Sequence, residues 1–328
     1  MNVHRFGVLA AVLAASLVMA CAPVAALAQG RGPWTVKGMI PYDRAEIAAA
    51  TLNGKVYVVS GQSRGVDANE FTQEYDPATG AWRDLALMPA VASHAGAAAL
   101  NGKIYVVGGF LANVHVGAVD RVFEYDPATD KWRALAPLSA PRGAPGVVVL
   151  DGKIHAIGGR DPQLRTVSTH EVYDPAANKW TLAASLPIPR DHLGIAVVGG
   201  KIHVFGGRLG PTPDRTGRHD VYDPATDTWT TAAPLLTPRS AGVSFVQNGR
   251  IVYAGGECKD PTTSTTFDEA EVYDPATNTW TALPALPVGR HAGAAAVVGG
   301  EAYVIGGNNG CGGNRAAREI LAFRLPAS

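Results

Sequence analysis

The sequence has no excess of charge, few cysteines and no internal apolar run long enough to cross a membrane. Its 328 residues include 28 basic and 28 acidic side chains and three cysteines. Balanced charge gives no global indication of a nucleic-acid or anionic-lipid partner. The chain also lacks a phosphate-binding loop, a nucleophile triad and a metal-ligand cluster with recognisable spacing. The sequence therefore predicts no cofactor and no metal.

The first 28 residues are predicted to be a signal peptide. Arg5 gives a positive start, residues 6–20 form an uncharged apolar run, and Ala26-Leu27-Ala28 fits a small-x-small cleavage site. The run is shorter than the ~18 to 20 residues of a membrane span. The expected mature chain starts at Gln29 and is periplasmic or secreted. The alternative is a lipoprotein signal that ends before Cys21, which would anchor the protein through a lipid.

Three short motifs recur with a period close to 50 residues. Tyr-Asp-Pro occurs five times and has a degenerate sixth copy at Phe323. Five periods carry a glycine pair after an apolar run, with Ser60-Gly61 at that place in the first, and the first five periods each carry one tryptophan. The tyrosines are Tyr75, Tyr125, Tyr173, Tyr222 and Tyr273. A repeat of this length indicates a propeller or solenoid, in which each unit is one supersecondary element.

Each period contains four predicted short strands. The first two are joined by a dipeptide such as Asn53-Gly54 or Asn101-Gly102, which tolerates positive φ and forms tight hairpins. Asp-Pro then turns the chain between the third and fourth strands. The last period lacks a tryptophan strand, whereas Trp34 precedes the first period. The N-terminal strand is therefore expected to complete the last blade and close a ring of six.

These motifs resemble the Kelch family over residues 34–325. The resemblance implies an all-β, six-bladed propeller with four antiparallel strands per blade, here as one domain spanning residues 29–328. It does not imply a single activity, because function depends on the site carried by a fold.

Only one segment of the repeat varies in length. The gap from the second glycine to the tyrosine position is 14, 16, 14, 15, 17 and 16 residues in the six periods. This connection joins the second and third strands and emerges at the same end of the ring as the links between blades. Variable loops on a rigid scaffold commonly carry binding residues, so this end, the channel mouth, is the expected functional face.

Arginines recur in the link that enters each blade, and the second blade has Ala92 in their place. In one interpretation they surround the channel mouth and bind carboxylates; in the other they are features of the repeat held by local carboxylates such as Glu171 and Glu271. The link arginines are Arg44, Arg142, Arg190, Arg239 and Arg290. The variable loops add further candidates, namely Arg160, Arg208 and Arg218.

Histidines are secondary site candidates. His94, His192 and His291 lie near the channel end of three links and are predicted to contribute to a ligand site. His155 and His203 replace the second-strand tyrosine in adjacent blades. They are expected to be half-buried and hydrogen-bonded, because adjacent blades hold such positions too far apart to share a metal.

A disulfide is predicted between Cys258 and Cys311. The two cysteines follow the glycine pairs of the fifth and sixth blades by two and four residues, which places them in equivalent neighbouring loops. If the chain is exported, the two cysteines left after signal-peptide cleavage lie in an oxidising compartment, where an even number of cysteines favours a disulfide.

The leading functional hypothesis is a monomeric binding module for an acidic peptide or protein, or for a small carboxylated ligand. The alternative resembles the Kelch-type sialic acid mutarotases, in which a glutamate follows the blade glycines and an arginine comes six residues later. Glu257 matches the first position and is the candidate catalytic residue, but Thr263 occupies the second; Arg290 or Arg239 are possible substitutes. A galactose-oxidase-like copper enzyme is a third hypothesis. Its site resembles a Tyr-Cys crosslink with two histidine ligands, and no group of residues in this sequence reproduces it.

Overall fold

The computed structural model describes residues 33–63, 67–112, 115–210, 214–312 and 315–326. The predicted signal segment lies outside these residues. Six four-stranded antiparallel sheets form the six blades of a propeller. Within the described residues no helix is long and apolar enough to cross a membrane.

The strands follow the repeat. Blades one to three comprise Ala48–Leu52, Lys55–Val59, Thr72–Asp76 and Ala81–Asp84; then Gly96–Leu100, Lys103–Val107, Val122–Asp126 and Lys131–Ala134; then Gly146–Leu150, Lys153–Ile157, His170–Asp174 and Lys179–Leu182. Blades four to six comprise Gly194–Val198, Lys201–Phe205, His219–Asp223 and Thr228–Ala232; then Val243–Gln247, Arg250–Asp260, Thr265–Asp274 and Thr279–Leu283; then Ala294–Val298, Glu301–Ile305, Glu319–Phe323 and Thr35–Met39. A short ribbon pairs Gln62–Ser63 with Asp67–Ala68.

The ring closes as the sequence predicts. Thr35–Met39 pairs antiparallel with Glu319–Phe323, and the first strands of neighbouring blades pack against each other all the way around the axis. Trp34 is fully buried, stacks on Phe323 at 4.4 Å between ring centroids, and donates to the Pro284 carbonyl at 2.9 Å. The N-terminal strand therefore joins the sixth blade to the fifth as well as completing its sheet.

In the second to fifth blades, the recurring tyrosine and tryptophan connect the blade to the one before it. In the second blade Tyr125 donates to Asp130, which also accepts from the Ala86 amide of the first blade. Trp132 donates to the Ala86 carbonyl at 2.9 Å. The same arrangement occurs at Asn178, Asp227 and Asn278 in the next three blades. The motifs recur because the same connection is used at these four interfaces. Trp34 makes the tryptophan part of it at the interface between the fifth and sixth blades.

The disulfide between Cys258 and Cys311 is confirmed, with Cα atoms 4.6 Å apart. It fastens the long hairpin of the fifth blade to the loop of the sixth, next to the closing seam. A disulfide at this place is compatible with an oxidising, extracellular compartment. It also removes both cysteines from any Tyr-Cys crosslink of the galactose-oxidase kind.

Candidate functional site

The five link arginines are buried within their own blades instead of surrounding the channel mouth. None is more than 2% exposed. Arg142 donates to Glu171 at 2.6 Å and Arg239 donates to Glu271 at 2.5 Å. The other three, Arg44, Arg190 and Arg290, bond to Gln73, Asp220 and the Glu319 carbonyl respectively. These contacts match the interpretation in which local carboxylates hold the arginines, and not the one with an electropositive ring, because burial favours pairing each guanidinium with a nearby acceptor.

The channel wall is formed by one residue per blade in a left-handed backbone conformation. These residues are Glu46, His94, Ala144, His192, Ala241 and Ala292, with φ between 51° and 57°. Backbone hydrogen bonds link several of them around the axis, for example Ala144 to the His94 carbonyl at 2.8 Å. Residues other than glycine seldom adopt this conformation, and they cluster at functional sites. These six residues and the residue that follows each of them line a pocket of about 150 Å³ that is open to solvent.

A second ring of side chains follows the glycine pairs. It consists of Gln62, Phe110, Arg160, Arg208, Glu257 and Asn308. The backbone of Arg208 pairs with Asp191, and that of Arg160 pairs with Gly143, so both sit directly over the channel wall. This register brings two of the predicted loop arginines and Glu257 to the mouth.

Asp191 holds these groups together. Its carboxylate is completely buried and accepts from Arg208 Nε at 2.8 Å and from His192 Nδ1 at 2.6 Å. The second oxygen lies 3.0 Å from Arg160 Nε. Burial alone would raise the pKa of this carboxyl, but His192 and the two guanidinium groups lower it well below its usual range. Asp191 therefore stays charged and fixes both arginines.

Three histidine rings meet beside Arg208. The ring centroids of His94, His115 and His192 are 4.9 to 5.2 Å apart. His115 comes from the variable loop of the second blade and reaches His192 of the fourth, with 3.3 Å between the two Nε2 atoms. Burial, the other histidines and Arg208 lower the pKa of His115 to about 2. Burial and Arg208 also lower the pKa of His192.

Two glutamates border the histidines. Glu46 lies 3.1 Å from His94 Nε2, and Glu257 accepts from Arg208 Nη1 at 3.1 Å. Burial opposes ionisation of both carboxyls. The histidines around Glu46, and Arg208 beside Glu257, nevertheless lower both pKa values. Among the described residues of this cluster, three carboxylates thus lie against two guanidinium groups.

Of the other predicted residues, His291 lies near this cluster, whereas Arg218, His155 and His203 have their partners within their own blades. His291 is buried at the mouth, close enough to lower the pKa of Glu46 and Glu257. Arg218 pairs with Asp220 on the blade. His155 and His203 form hydrogen bonds of 2.9 Å to His170 and His219 within their own blades.

Sequence reasoning missed Glu46, His115 and Asp191. The sequence contained a feature from which Glu46 and Asp191 could have been found. Glu46 occupies the register of His94 and His192, two residues after the link arginine position, and Asp191 precedes His192. His115 had no such feature, because its place depends on how the second-blade loop crosses the mouth.

Comparisons with known proteins agree with this architecture. The sequence model of the Attractin/LZTR1 beta-propeller matches residues 56–315. Kelch-like protein terF of Aspergillus terreus is 46% identical over 65 residues, which are 19% of this chain and 14% of that protein. The solved structure of YjhT superposes with a TM-score of 0.77 at 18% identity, covering 88% of this chain and 97% of that one. At this identity the likeness to YjhT shows the fold alone.

The fold and its repeat define a Kelch-type six-bladed propeller. The chain belongs to the Attractin/LZTR1 β-propeller family, whose model spans most of its length.

Proposed function

We propose that this propeller binds a small carboxylated ligand at the mouth of its central channel. The observation that carries the proposal is the position of Arg208. Its Nε and Nη1 are held by Asp191 and Glu257, whereas Nη2 contacts only histidine nitrogens of His115 and His192 among the partners seen here. An incoming carboxylate can take over Nη2 without releasing the other two contacts, and guanidinium groups suit carboxylates.

The enclosure of the site favours a small ligand over an acidic peptide or protein. The side chains of Arg160 and Arg208 are only 6% and 11% exposed. The pocket of about 150 Å³ at the channel wall is lined in part by His192, which Arg208 contacts. A carboxylate group fits this space, and a peptide surface would touch only the outer loops.

Arg208→Gln is expected to weaken binding of a sugar acid such as N-acetylneuraminate or glucuronate. Loss of one charged hydrogen bond corresponds to about 1.5 to 3 kcal/mol. Titration calorimetry of the wild type and the variant measures this loss. Arg218→Gln is the matched control, because Arg218 is also an arginine of a variable loop but pairs with Asp220 instead of contacting His115 and His192. Absence of binding by the wild type to any sugar acid in the panel would reject the proposal.

A sugar mutarotase is the second candidate, since Glu257 lies beside a cation and histidines. Ring opening requires a general acid or base at the anomeric hydroxyl. Thr263 bonds to Asp260 on the surface, and Arg239 and Arg290 are buried, so Arg208 of the preceding blade is the arginine that meets Glu257. NMR of freshly dissolved sialic acid anomers distinguishes the candidates: an unchanged anomerisation rate leaves ligand binding alone.

We further propose that the protein acts outside the cytoplasm, which the disulfide supports. Intact mass of protein from its native host is expected to show a chain starting at Gln29, or a lipidated one starting at Cys21. A cytoplasmic chain that retains Arg5 would contradict both.

A further inference from the structure

We propose that His94, His115 and His192 bind a first-row transition-metal dication, with Zn²⁺ as the ion of best fit. Each histidine offers one ring nitrogen, and the three nitrogens lie within 4.8 Å of one another. Imidazole nitrogen is a preferred ligand of Zn²⁺, and three-histidine sites with an open fourth position are well known. The inference concerns the same mouth as the proposed function but does not depend on carboxylate binding.

The spacing of two ligands already suits a tetrahedral ion. Zn–N bonds of about 2.0 to 2.1 Å place neighbouring ligand nitrogens roughly 3.3 to 3.4 Å apart in a tetrahedron. The Nε2 atoms of His115 and His192 are 3.3 Å apart. His94 completes the set after a small movement of its ring. Glu46, 3.1 Å from His94 Nε2, is the natural fourth ligand.

Hydrogen bonds to the outer ring nitrogens orient the lone pairs. His192 Nδ1 donates to Asp191 at 2.6 Å, which leaves Nε2 without a proton and directed at His115. A carboxylate on the far nitrogen is the usual support of a metal-bound histidine. His94 Nδ1 contacts Ser93 Oγ at 3.0 Å, so its Nε2 faces the Glu46 carboxylate. When the Ser93 hydroxyl donates to Nδ1, the proton of neutral His94 lies on Nε2 and is donated to Glu46, so this proton must leave when Nε2 binds a metal.

A cationic group already stands where the metal would bind. Arg208 Nη2 lies 3.1 Å from His115 Nε2 and 3.0 Å from His192 Nε2. The guanidinium must turn aside for a dication to enter, and its charge opposes the ion. The carboxylates of Glu46, Asp191 and Glu257 offset that repulsion. Arg208 is therefore expected to weaken metal binding, the opposite of its proposed effect on a carboxylate.

The test is Zn²⁺ titration of the untagged mature chain by calorimetry, with Co²⁺ absorption to report tetrahedral coordination. The wild type is expected to bind one ion per chain. His115→Ala should weaken binding at least 10- to 100-fold, the range seen when even an outer partner of a metal ligand is lost. His155→Tyr is the control, because the first and second blades carry tyrosine at that position, Tyr57 and Tyr105.

Arg208→Gln separates the two proposals. Tighter Zn²⁺ binding with weaker sugar-acid binding supports both; sugar-acid binding by the wild type without any Zn²⁺ binding rejects the metal site alone. Equal Zn²⁺ affinity of the wild type and His115→Ala, with circular dichroism showing both folded, would also overturn the metal site. In that case the three rings are simply packed against Phe110, which lies 5.3 to 5.4 Å from two of them.

Discussion

Replacing Arg142 with alanine is expected to lower the free energy of unfolding by about 3 to 5 kcal/mol. Arg142 and Glu171 are each only 2% exposed in their side chains, and their charged atoms are 2.6 Å apart. Removal of the guanidinium leaves a carboxylate in the blade interior without its counter-charge. Urea unfolding of the mature chain measures the loss. Affinity for sugar acids should be unchanged, because Arg142 does not reach the mouth.

The second blade supplies a matched control. At the positions equivalent to Arg142 and Glu171 it carries Ala92 and Phe123, both buried in one apolar cluster. The double variant Arg142→Ala with Glu171→Phe copies that solution and is expected to recover most of the lost stability. A deficit of about 1 kcal/mol should remain, because Glu171 also accepts from the Ser139 amide. The second blade has Pro89 at the position equivalent to Ser139, and because proline has no backbone N–H, no acceptor is needed there.

Two outcomes would contradict this account. A double variant as unstable as the single one would show that an unpaired buried charge is not the cause. A stable Arg142→Ala protein that no longer binds a carboxylate would show that the link arginines act as a ligand site after all.

The fold was predictable because its determinants are local and repeated. A turn that needs positive φ, a glycine pair, a tyrosine and a tryptophan recur at fixed spacing, and each copy has the same task in the structure. Trp34 also revealed the closure, since a tryptophan strand without a blade can only complete the blade that lacks one. Cys258 and Cys311 could be paired because the repeat placed them in equivalent loops.

The direction of the arginine side chains could not be predicted from the same pattern. The link position shows which end of the ring a residue occupies, but not whether its side chain turns toward the axis or into its own blade. A second signal existed: Glu171, Asp220 and Glu271 occupy one register of the third strand in three of the four blades that pair a link arginine with an acid. The second blade has Ala92 and Phe123 at these two positions, so the arginine and the acid are absent together. In the sixth blade Arg290 pairs with Glu319, which lies two residues earlier in the strand.

The histidine cluster was partly predictable for a related reason. His94 and His192 share a register with Glu46, so their approach to the channel follows from the repeat. His115 lies in the one connection whose length varies, where no other blade provides a template. Its ring lies between Arg160 of the third blade and His192 of the fourth, at 3.4 Å and 3.3 Å, and these contacts depend on the path of that loop.

The free energy of unfolding is also expected to fall as the pH drops from about 6.5 to about 4, because four histidines are buried in two pairs. Burial lowers the pKa to about 4 in His155, His170 and His203 and to about 3 in His219. Since the unfolded chain has histidine pKa values near 6.5, it binds these protons first. The stabilisation is complete above pH ~6.5 and is lost as the pH approaches the folded values.

The hydrogen bonds explain why the pairs resist protonation. His170 Nδ1 lies 3.1 Å from the Ala184 carbonyl and donates to it, so its Nε2 must accept from His155 Nδ1 at 2.9 Å. His219 repeats this arrangement with the Ala233 carbonyl and His203. A further proton on either acceptor nitrogen would set two N–H groups against each other in a dry interface.

At ~1.4 kcal/mol per pKa unit, the lowered pKa of one histidine corresponds to a loss of roughly 3 kcal/mol across this interval, so a pair is expected to lose up to about twice that. Carboxylates with lowered pKa values also destabilise the fold in acid, so the test requires a variant that differs only in one pair. His155→Tyr with His170→Val copies Tyr105 and Val122 of the second blade. Unfolding of this variant between pH 7.5 and 4 should show a shallower decline than the wild type. Parallel profiles would mean that the carboxylates alone cause the acid sensitivity, and that the histidine pairs keep their hydrogen bonds when charged.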